Sequence, residues 1–215
     1  MVQHYIHRGL INKNFQENTI KAFKYSFRRK YGIETDIHAT KDHEFICFHD
    51  FTLNRIFKKK ESVKNMEYSK IKKISAHNKK TIPLLKDLLK TSKNKYSLFI
   101  EIKPTLSKKL LQKLLKETSK FSKCVFISFK HKNIYDLLKI KSNAKVGLSF
   151  SLSNSAKTII KKSNNKKINC LILDKFFLKN KNIQNLKIKK YYYTIKTKTE
   201  FKKYSKNNNL IFENL

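Results

Sequence analysis

The stretch from Tyr31 to Asp50, YGIETDIHATKDHEFICFHD, restricts what the chain can fold into more than any other part of it. Its first half sets Glu34 and Asp36 two residues apart in a β-branched run. The period of two along a strand turns both carboxylates to one face, while Ile33, Thr35 and Ile37 fill the other. Acids are scarce, with 15 Asp and Glu against 50 Lys and Arg. Two of them side by side where an unpaired charge is costly to bury imply a neutralising cation or strong donors, and a divalent metal is the economical candidate.

The second half locates His49. Six residues separate Ile37 from Glu44, whereas a parallel crossover needs about a dozen or more, so the two segments form a hairpin. A turn centred near Lys41 and Asp42 brings His49 abreast of Glu34 to within about a residue or two. An imidazole thus arrives beside the carboxylate pair. The plain alternative is a half-buried hairpin whose His and Asp make structural hydrogen bonds.

The rest of the chain reads as strands alternating with helices. Val2 to Ile6 is a strand delivering His7, Arg8 and Gly9. A loop from Leu10 to Gln16 leads to a helix opening at Glu17, Asn18 and Thr19, with Asn18 as N-cap and Ala22, Phe23 and Phe27 on its apolar face. Phe51 to Lys95 is an excursion with short helices near Met66 to Lys73 and after Ile82-Pro83. Further strands are expected at Tyr96–Ile102, Cys124–Ser128, Val146–Phe150, Asn169–Leu173, Tyr191–Ile195 and Leu210–Phe212. Helices are expected at Leu106–Phe121, Asn133–Ile140, Ser155–Lys162, Asn180–Ile188 and Thr199–Lys206. About eight strands alternating with helices is the count of a closed α/β barrel. The rival, an open doubly wound sheet, is weakened because no Gly-rich phosphate loop follows the first strand. The expected architecture is therefore a (β/α)8 TIM barrel occupying residues 1–215 as one domain, with a small insertion after the second strand (about 39–95, hairpin included).

Composition bounds the function. The formal charge is +35, but only four of the 50 basic residues are Arg, at positions 8, 28, 29 and 55. Planar recognition of bases and phosphates favours Arg, so lysines scattered along the whole chain read as solvated helix faces rather than a nucleic-acid footprint. The charge should still draw anionic substrates and give a weak contact with anionic membrane surfaces. Cys47, Cys124 and Cys170 are widely spaced in apolar runs and read as reduced core residues. The N-terminus lacks an apolar signal core, and no segment approaches the run of about 18 apolar residues of a membrane span, which makes a cytoplasmic location the default.

Seven polar residues recur at strand ends: His7 and Arg8 after the first strand, Glu34 and Asp36 on the second, His49 on the hairpin, Glu101 and Lys103 on the next. Three carboxylates, two imidazoles, a guanidinium and an ammonium at the face where barrel enzymes carry their sites suit metal-assisted attack on a phosphate ester. The pieces HRG (His7–Gly9), ENT (Glu17–Thr19), ETDIHAT (Glu34–Thr40), HDFTLNR (His49–Arg55), IPLL (Ile82–Leu85) and EIK (Glu101–Lys103), in that order, resemble the motifs of the glycerophosphodiester phosphodiesterase family. The resemblance implies a metal-dependent barrel enzyme that hydrolyses glycerophosphodiesters to sn-glycerol 3-phosphate and an alcohol. Carried over by position, it implies Glu34, Asp36 and Glu101 as ligands of a divalent metal, Mg²⁺ or Ca²⁺. It makes His7 and His49 the catalytic histidines, and Arg8 and Lys103 the contacts to substrate phosphate.

The chain departs from the family pattern in three places. His43 follows Asp42 where a Gly is usual, Tyr193 and Thr194 stand for a Trp-Thr pair, and the end Phe212, Glu213, Asn214 and Leu215 replaces a Thr-Asp-Arg-Pro-like sequence. These differences are expected to lie outside the reacting groups and to bear on substrate preference and closure of the last strand. His4 reads as structural, and His38, His43, His77 and His131 as surface or turn residues. The run Tyr191 to Tyr193 reads as strand core rather than a base-stacking platform. Two other functions compete: a lysophospholipase D-type phosphodiesterase at a membrane, and a non-catalytic basic nucleic-acid-binding protein.

Overall fold

A computed structural model describes residues 2–11, 15–78, 80–213 and 215. Among them, nine strands form one sheet: β1 (Tyr5–His7), β2 (Gly32–Ala39), β3 (Phe45–Cys47), β4 (Leu98–Ile102), β5 (Cys124–Ser128), β6 (Val146–Phe150), β7 (Cys170–Asp174), β8 (Lys189–Ile195) and β9 (Asn209–Phe212). All except β3 run parallel, and β9 pairs back onto β1 with Tyr5 opposite Ile211, which closes an eight-stranded barrel. The helices between them are α1 (Ile20–Arg28), α2 (Asn54–Phe57), α3 (Tyr68–His77), α4 (Leu85–Ser92), α5 (Lys108–Glu117), α6 (His131–Ile140), α7 (Ala156–Ser163), α8 (Lys181–Gln184) and α9 (Lys198–Tyr204). The fold is the (β/α)8 barrel that the strand count called for.

Parallel strands covered on both faces must be apolar on both, and the alternation here sorts the side chains into two layers. Tyr5, Phe99, Ile127, Cys170, Ile172, Tyr191 and Ile211 form one cluster filling the barrel. Their chain neighbours Ile6, Leu98, Ile100, Phe126, Leu171, Tyr192 and Leu210 belong to the larger core shared with the helices. The helices meet that layer with a few residues each, α5 through Leu111 and Leu114, and turn their lysines to water. Serine or threonine side chains cap the amino ends of α1, α5, α7 and α9, at Thr19, Ser107, Ser155 and Thr197. The three cysteines are buried and unpaired.

The insertion between β2 and α4 has its own core of Ile46, Phe48, Leu53, Phe57, Val63, Met66, Ile71, Ile82 and Leu84. β3 pairs antiparallel with β2 in the register Ile37 to Cys47, His38 to Ile46 and Ala39 to Phe45. Continued by two residues, that register sets His49 across from Thr35, between the two carboxylates of β2. The hairpin is thus fixed to the barrel on one side and to a separate apolar unit on the other.

Several local expectations need correction. Thr19, not Asn18, caps α1; Asn18 has φ 54°, is buried, and turns its side chain into β2 instead. The helix expected over Asn180–Ile188 is the short α8, preceded by a 3-10 turn at Lys175–Lys179. His38 is buried rather than exposed, and His131 is held between the Ser149 carbonyl and Lys162. His4 accepts from the Leu210 amide and packs on Phe201. Residues 12–14 of the loop expected at Leu10 to Gln16, Lys79 of the excursion, and Asn214 lie outside the described residues.

Phe99, 1% exposed, sits in the barrel filling with its ring centre 4.3 Å from that of Tyr5, tilted, and 4.8 Å from that of Tyr191, edge-on. Phe99→Ala is expected to lower unfolding free energy in urea by about 3–5 kcal/mol. A loss below about 1 kcal/mol would show that the interior collapses onto the gap and does not hold the strands apart.

Candidate active site

Every group of the site hangs from the carboxyl end of a barrel strand or from the β3 hairpin. β1 ends at His7, and the next two residues have positive φ, Arg8 at 55° and Gly9 at 76°. A Cβ on Gly9 would come within 3.0 Å of both Ala22 and Phe23, so only glycine lets the chain turn this tightly against α1. The turn sends the Arg8 guanidinium back over the barrel mouth. Its Nε lies 3.1 Å from Asp36 Oδ2 and Nη1 3.3 Å from Glu17 Oε1. Parallel pairing sets Asp36 beside Glu101 and leaves Lys103 just beyond β4, where Nζ donates to Glu101 Oε1 at 2.8 Å and lies 3.5 Å from Asp36 Oδ1.

Glu34, Asp36 and Glu101 each offer an oxygen, and these atoms all lie within 4.8 Å of one another. All three side chains are buried. Among the described residues, Arg8 and Lys103 supply two positive charges against three carboxylates, so the cluster is one cation short. The imbalance falls on Glu34: among the described residues neither of its buried oxygens has a hydrogen-bond partner, and His7 Nε2 lies 3.8 Å away. Burial pushes the Glu34 carboxyl well above its usual range, and the charges of Asp36 and Glu101 push it further. Burial and Asp36 likewise raise Glu101 to about 7, against the pull of Lys103. Asp36 is as deeply buried, but Arg8 and Lys103 outweigh its desolvation and hold it at about 2. An all-oxygen donor set with an orphaned buried carboxylate fits a hard divalent cation such as Mg²⁺ or Ca²⁺.

The two histidines are held in the same way. His7 Nδ1 is 2.9 Å from Glu213 Oε2, and His49 Nδ1 is 2.6 Å from Asp50 Oδ1. A carboxylate at Nδ1 accepts the hydrogen bond of the Nδ1–H and leaves Nε2 of each ring for the cavity. The His7 hydrogen bond is the main reason Glu213 is held at about 2. Burial lowers the His49 imidazole against the opposing charges of Asp36 and Asp50. His38, which burial brings down to about 4, stays neutral and donates from Nε2 to the His49 carbonyl at 3.1 Å, fixing the backbone beneath the second imidazole. Arg55 joins the halves, with Nε 2.6 Å from Asp50 Oδ2 and an Nη 2.5 Å from Glu17 Oε1.

These groups open onto a cavity of about 500 Å³ at the barrel mouth. His7, Arg8, Glu34, His49, Glu101 and Lys103 line one side; Ile127, Phe129, Ile172, Tyr193 and Ile211 line the other. All seven residues singled out in the sequence come together here, with Asp36 beneath the cavity floor. Others were missed. Glu213, expected to lie away from the reacting groups, touches His7, and Tyr193 and Thr194 line the cavity. Glu213 was visible as the next inward position after Ile211 in the strand period. Asn18 carried no comparable signal; its side chain bridges Asp36 Oδ2 at 3.1 Å and Thr35 Oγ1 at 2.7 Å.

The raised carboxyls make stability pH-dependent with a definite sign. An unfolded glutamate titrates near 4.5, whereas folded Glu101 keeps its proton to about 7. The resulting stabilisation is complete below the lower value and is lost as pH rises through the higher one. In chelator, wild-type protein should therefore lose urea stability relative to Glu101→Gln between these values, by at most about 1.4 kcal/mol per pH unit. A divalent cation should remove the slope. Parallel curves for the two proteins would refute the charge imbalance.

The chain that carries this site is similar to known proteins. The model of the glycerophosphoryl diester phosphodiesterase family matches residues 7–208. A glycerophosphodiester phosphodiesterase of Caldanaerobacter subterraneus is 33% identical over 159 residues, covering 67% of this chain and 65% of that one. One from Bacillus altitudinis is 33% identical over 116 residues, covering 49% and 47%. The matched segments thus span less than two thirds of these relatives' own lengths. Among solved structures, a Thermotoga maritima glycerophosphodiester phosphodiesterase superposes with TM-score 0.81 at 20% identity, covering 99% of this chain and 94% of that one. An Oleispira antarctica phosphodiesterase, solved with the product sn-glycerol-3-phosphate, gives 0.83 at 19% identity, covering 98% and 92%. With a family match running from the first catalytic-face histidine almost to the last strand, the chain belongs to the glycerophosphoryl diester phosphodiesterase family.

Proposed function

We propose that residues 1–215 work as one barrel domain that hydrolyses glycerophosphodiesters to sn-glycerol 3-phosphate and an alcohol. One observation carries the reading: two imidazoles, each with Nδ1 held by its own carboxylate, flank a buried cluster of three acids that is short of one positive charge. Family membership supports it further.

In this reading Glu34, Asp36 and Glu101 hold a divalent cation. When bound, such an ion supplies Lewis-acid neutralisation of phosphoryl charge. Arg8 and Lys103 hold the non-bridging oxygens, the guanidinium as a fork and the ammonium as a point charge. His7 comes from β1 and His49 from the hairpin, so they approach a phosphate from different sides, as in-line displacement requires. His7 accepts at Nε2 the proton of the attacking nucleophile, either water or the glycerol hydroxyl next to the ester, the latter giving a cyclic ester that water then opens; Glu213 stabilises the imidazolium that forms. His49, protonated and positioned by Asp50 and His38, delivers a proton from Nε2 to the leaving alkoxide. In each role the imidazolium stands beside an ionised carboxylate rather than unpaired.

The test is an assay of purified protein on a panel of glycerophosphodiesters, with and without chelator, read as glycerol 3-phosphate. Release should occur with added Mg²⁺ or Ca²⁺ and stop in chelator, and Glu34→Gln should lose both the metal requirement and the rate. Inactivity across the panel with metal supplied would remove the proposal.

The division between the histidines has its own signature. A leaving group that is already a stable anion needs little protonation. His49→Ala should therefore lose about 10²- to 10⁴-fold on an alkyl ester and far less on a nitrophenyl ester, whereas His7→Ala should damage both. Glu213→Gln should follow the His7 pattern, with a loss of about 10²-fold or more on both substrates. Equal losses on the two esters for His49→Ala would overturn the assignment.

A further inference from the structure

Large apolar side chains are seldom left in water without a purpose when they gather on one face. Of the five exposed among the described residues, Val2 sits at the amino end of the barrel, and the other four stand on the opposite rim, where the cavity opens. They are Phe51 (49% exposed), Phe129 (39%), Leu152 (58%) and Phe176 (66%). Phe129, Leu152 and Phe176 follow directly on β5, β6 and β7, which are neighbours in the barrel, so they stand in order around the rim. Phe51, just past His49, extends the arc: Lys130, next to Phe129, places Nζ 5.2 Å from its ring centre. Leu152 and Phe176 also share the wall of a second cavity of about 570 Å³ with Lys175, Lys179 and Lys203.

We propose that this rim is a docking surface for a bilayer containing anionic phospholipid. It deepens the hydrolytic reading by naming where substrate is met, and rests on that reading for this alone. The polar residues between the apolar ones decide for lipid over protein. Lysines and serines interrupt the arc, at Lys130, Ser151, Ser153, Lys175 and Lys179. Protein interfaces deplete lysine at their centres, whereas half-inserted Phe and Leu among lysines suit the boundary between acyl chains and anionic headgroups. The formal charge of +35 provides long-range attraction, and the apolar arc selects which face arrives. Docked this way, the cavity opens onto the headgroup layer, where glycerophosphodiesters that keep one acyl chain reside.

The chain has no Trp, so a single introduced one reports its own surroundings. Phe176→Trp on the rim and Val2→Trp at the far end are mixed with vesicles of phosphatidylcholine containing phosphatidylglycerol, at about 0.15 M salt. The expected result is a blue shift for Phe176→Trp and none for Val2→Trp. A double variant, Leu152→Ser with Phe176→Ser, should partition onto the same vesicles on the order of tenfold less, with an unchanged circular dichroism spectrum. Shifts in both reporters, in neither, or in Phe176→Trp on raising protein concentration without vesicles would overturn the proposal. So would equal partition of wild type and the double variant. None of these measurements uses turnover, so a failure of docking and a failure of hydrolysis are read separately.

Discussion

Three buried carboxylates and two cations gather at the barrel mouth, and the protein around them is arranged to manage that mismatch. A buried charge is tolerated when it is paired, and Asp36 has two cationic partners while Glu34 has no hydrogen-bond donor among the described residues. The deficit cannot be relieved locally, because β2 and β4 fix the acids by backbone pairing, with Asp36 directly opposite Glu101. Rigid strands hold the negative charges together, and flexible side chains, a guanidinium and an ammonium, supply only part of the compensation. The same mismatch makes the site selective for something small, hard and positive.

From this centre outward the charges alternate. Asp36 meets Arg8, Arg8 meets Glu17, Glu17 meets Arg55, Arg55 meets Asp50, and Asp50 meets His49. The chain of contacts begins on a barrel strand, passes through the loop before α1 and ends in the insertion, so two separately built parts of the molecule are aligned by electrostatics at the cavity mouth. The exposed members of such a network are individually weak, and their value lies in fixing geometry rather than in stability. Meanwhile most lysines stay exposed, on the helices and on the rim alike, while the carboxylates of the site are buried beneath it.

Much of this was readable in the linear chain. Parallel strands write themselves as short apolar runs separated by helical spacing, so Cys124–Ser128 and Val146–Phe150 could be bounded to the residue. The strand period gave the shared face of Glu34 and Asp36, and the shortness of the link to Glu44 gave the hairpin and the approach of His49. What could not be read depended on contacts distant in sequence. The strand period turns Glu213 inward after Ile211, but that it reaches His7 across 206 positions follows only from the barrel closing β9 onto β1. Asn18 looked like a cap because the local rule favours it there, but its positive φ and the donors needed by Asp36 override that preference. His38 looked like a surface residue because nothing nearby in sequence shows that Phe51 will fold over its ring.

The insertion's private core has a consequence for how the molecule fails. His49, Asp50 and Arg55 are carried by a unit whose apolar contacts are largely its own, tied to the barrel by the short β2–β3 ladder, the bond from the Phe48 amide to the Asp36 carbonyl and the Arg55 bridge to Glu17. Units of this kind open as cooperative blocks at a free energy below that of the whole fold. Warming is expected to open this unit, and with it the hairpin imidazole, before the eight strands part, and amide exchange in β3 would report that first opening separately from loss of the fold.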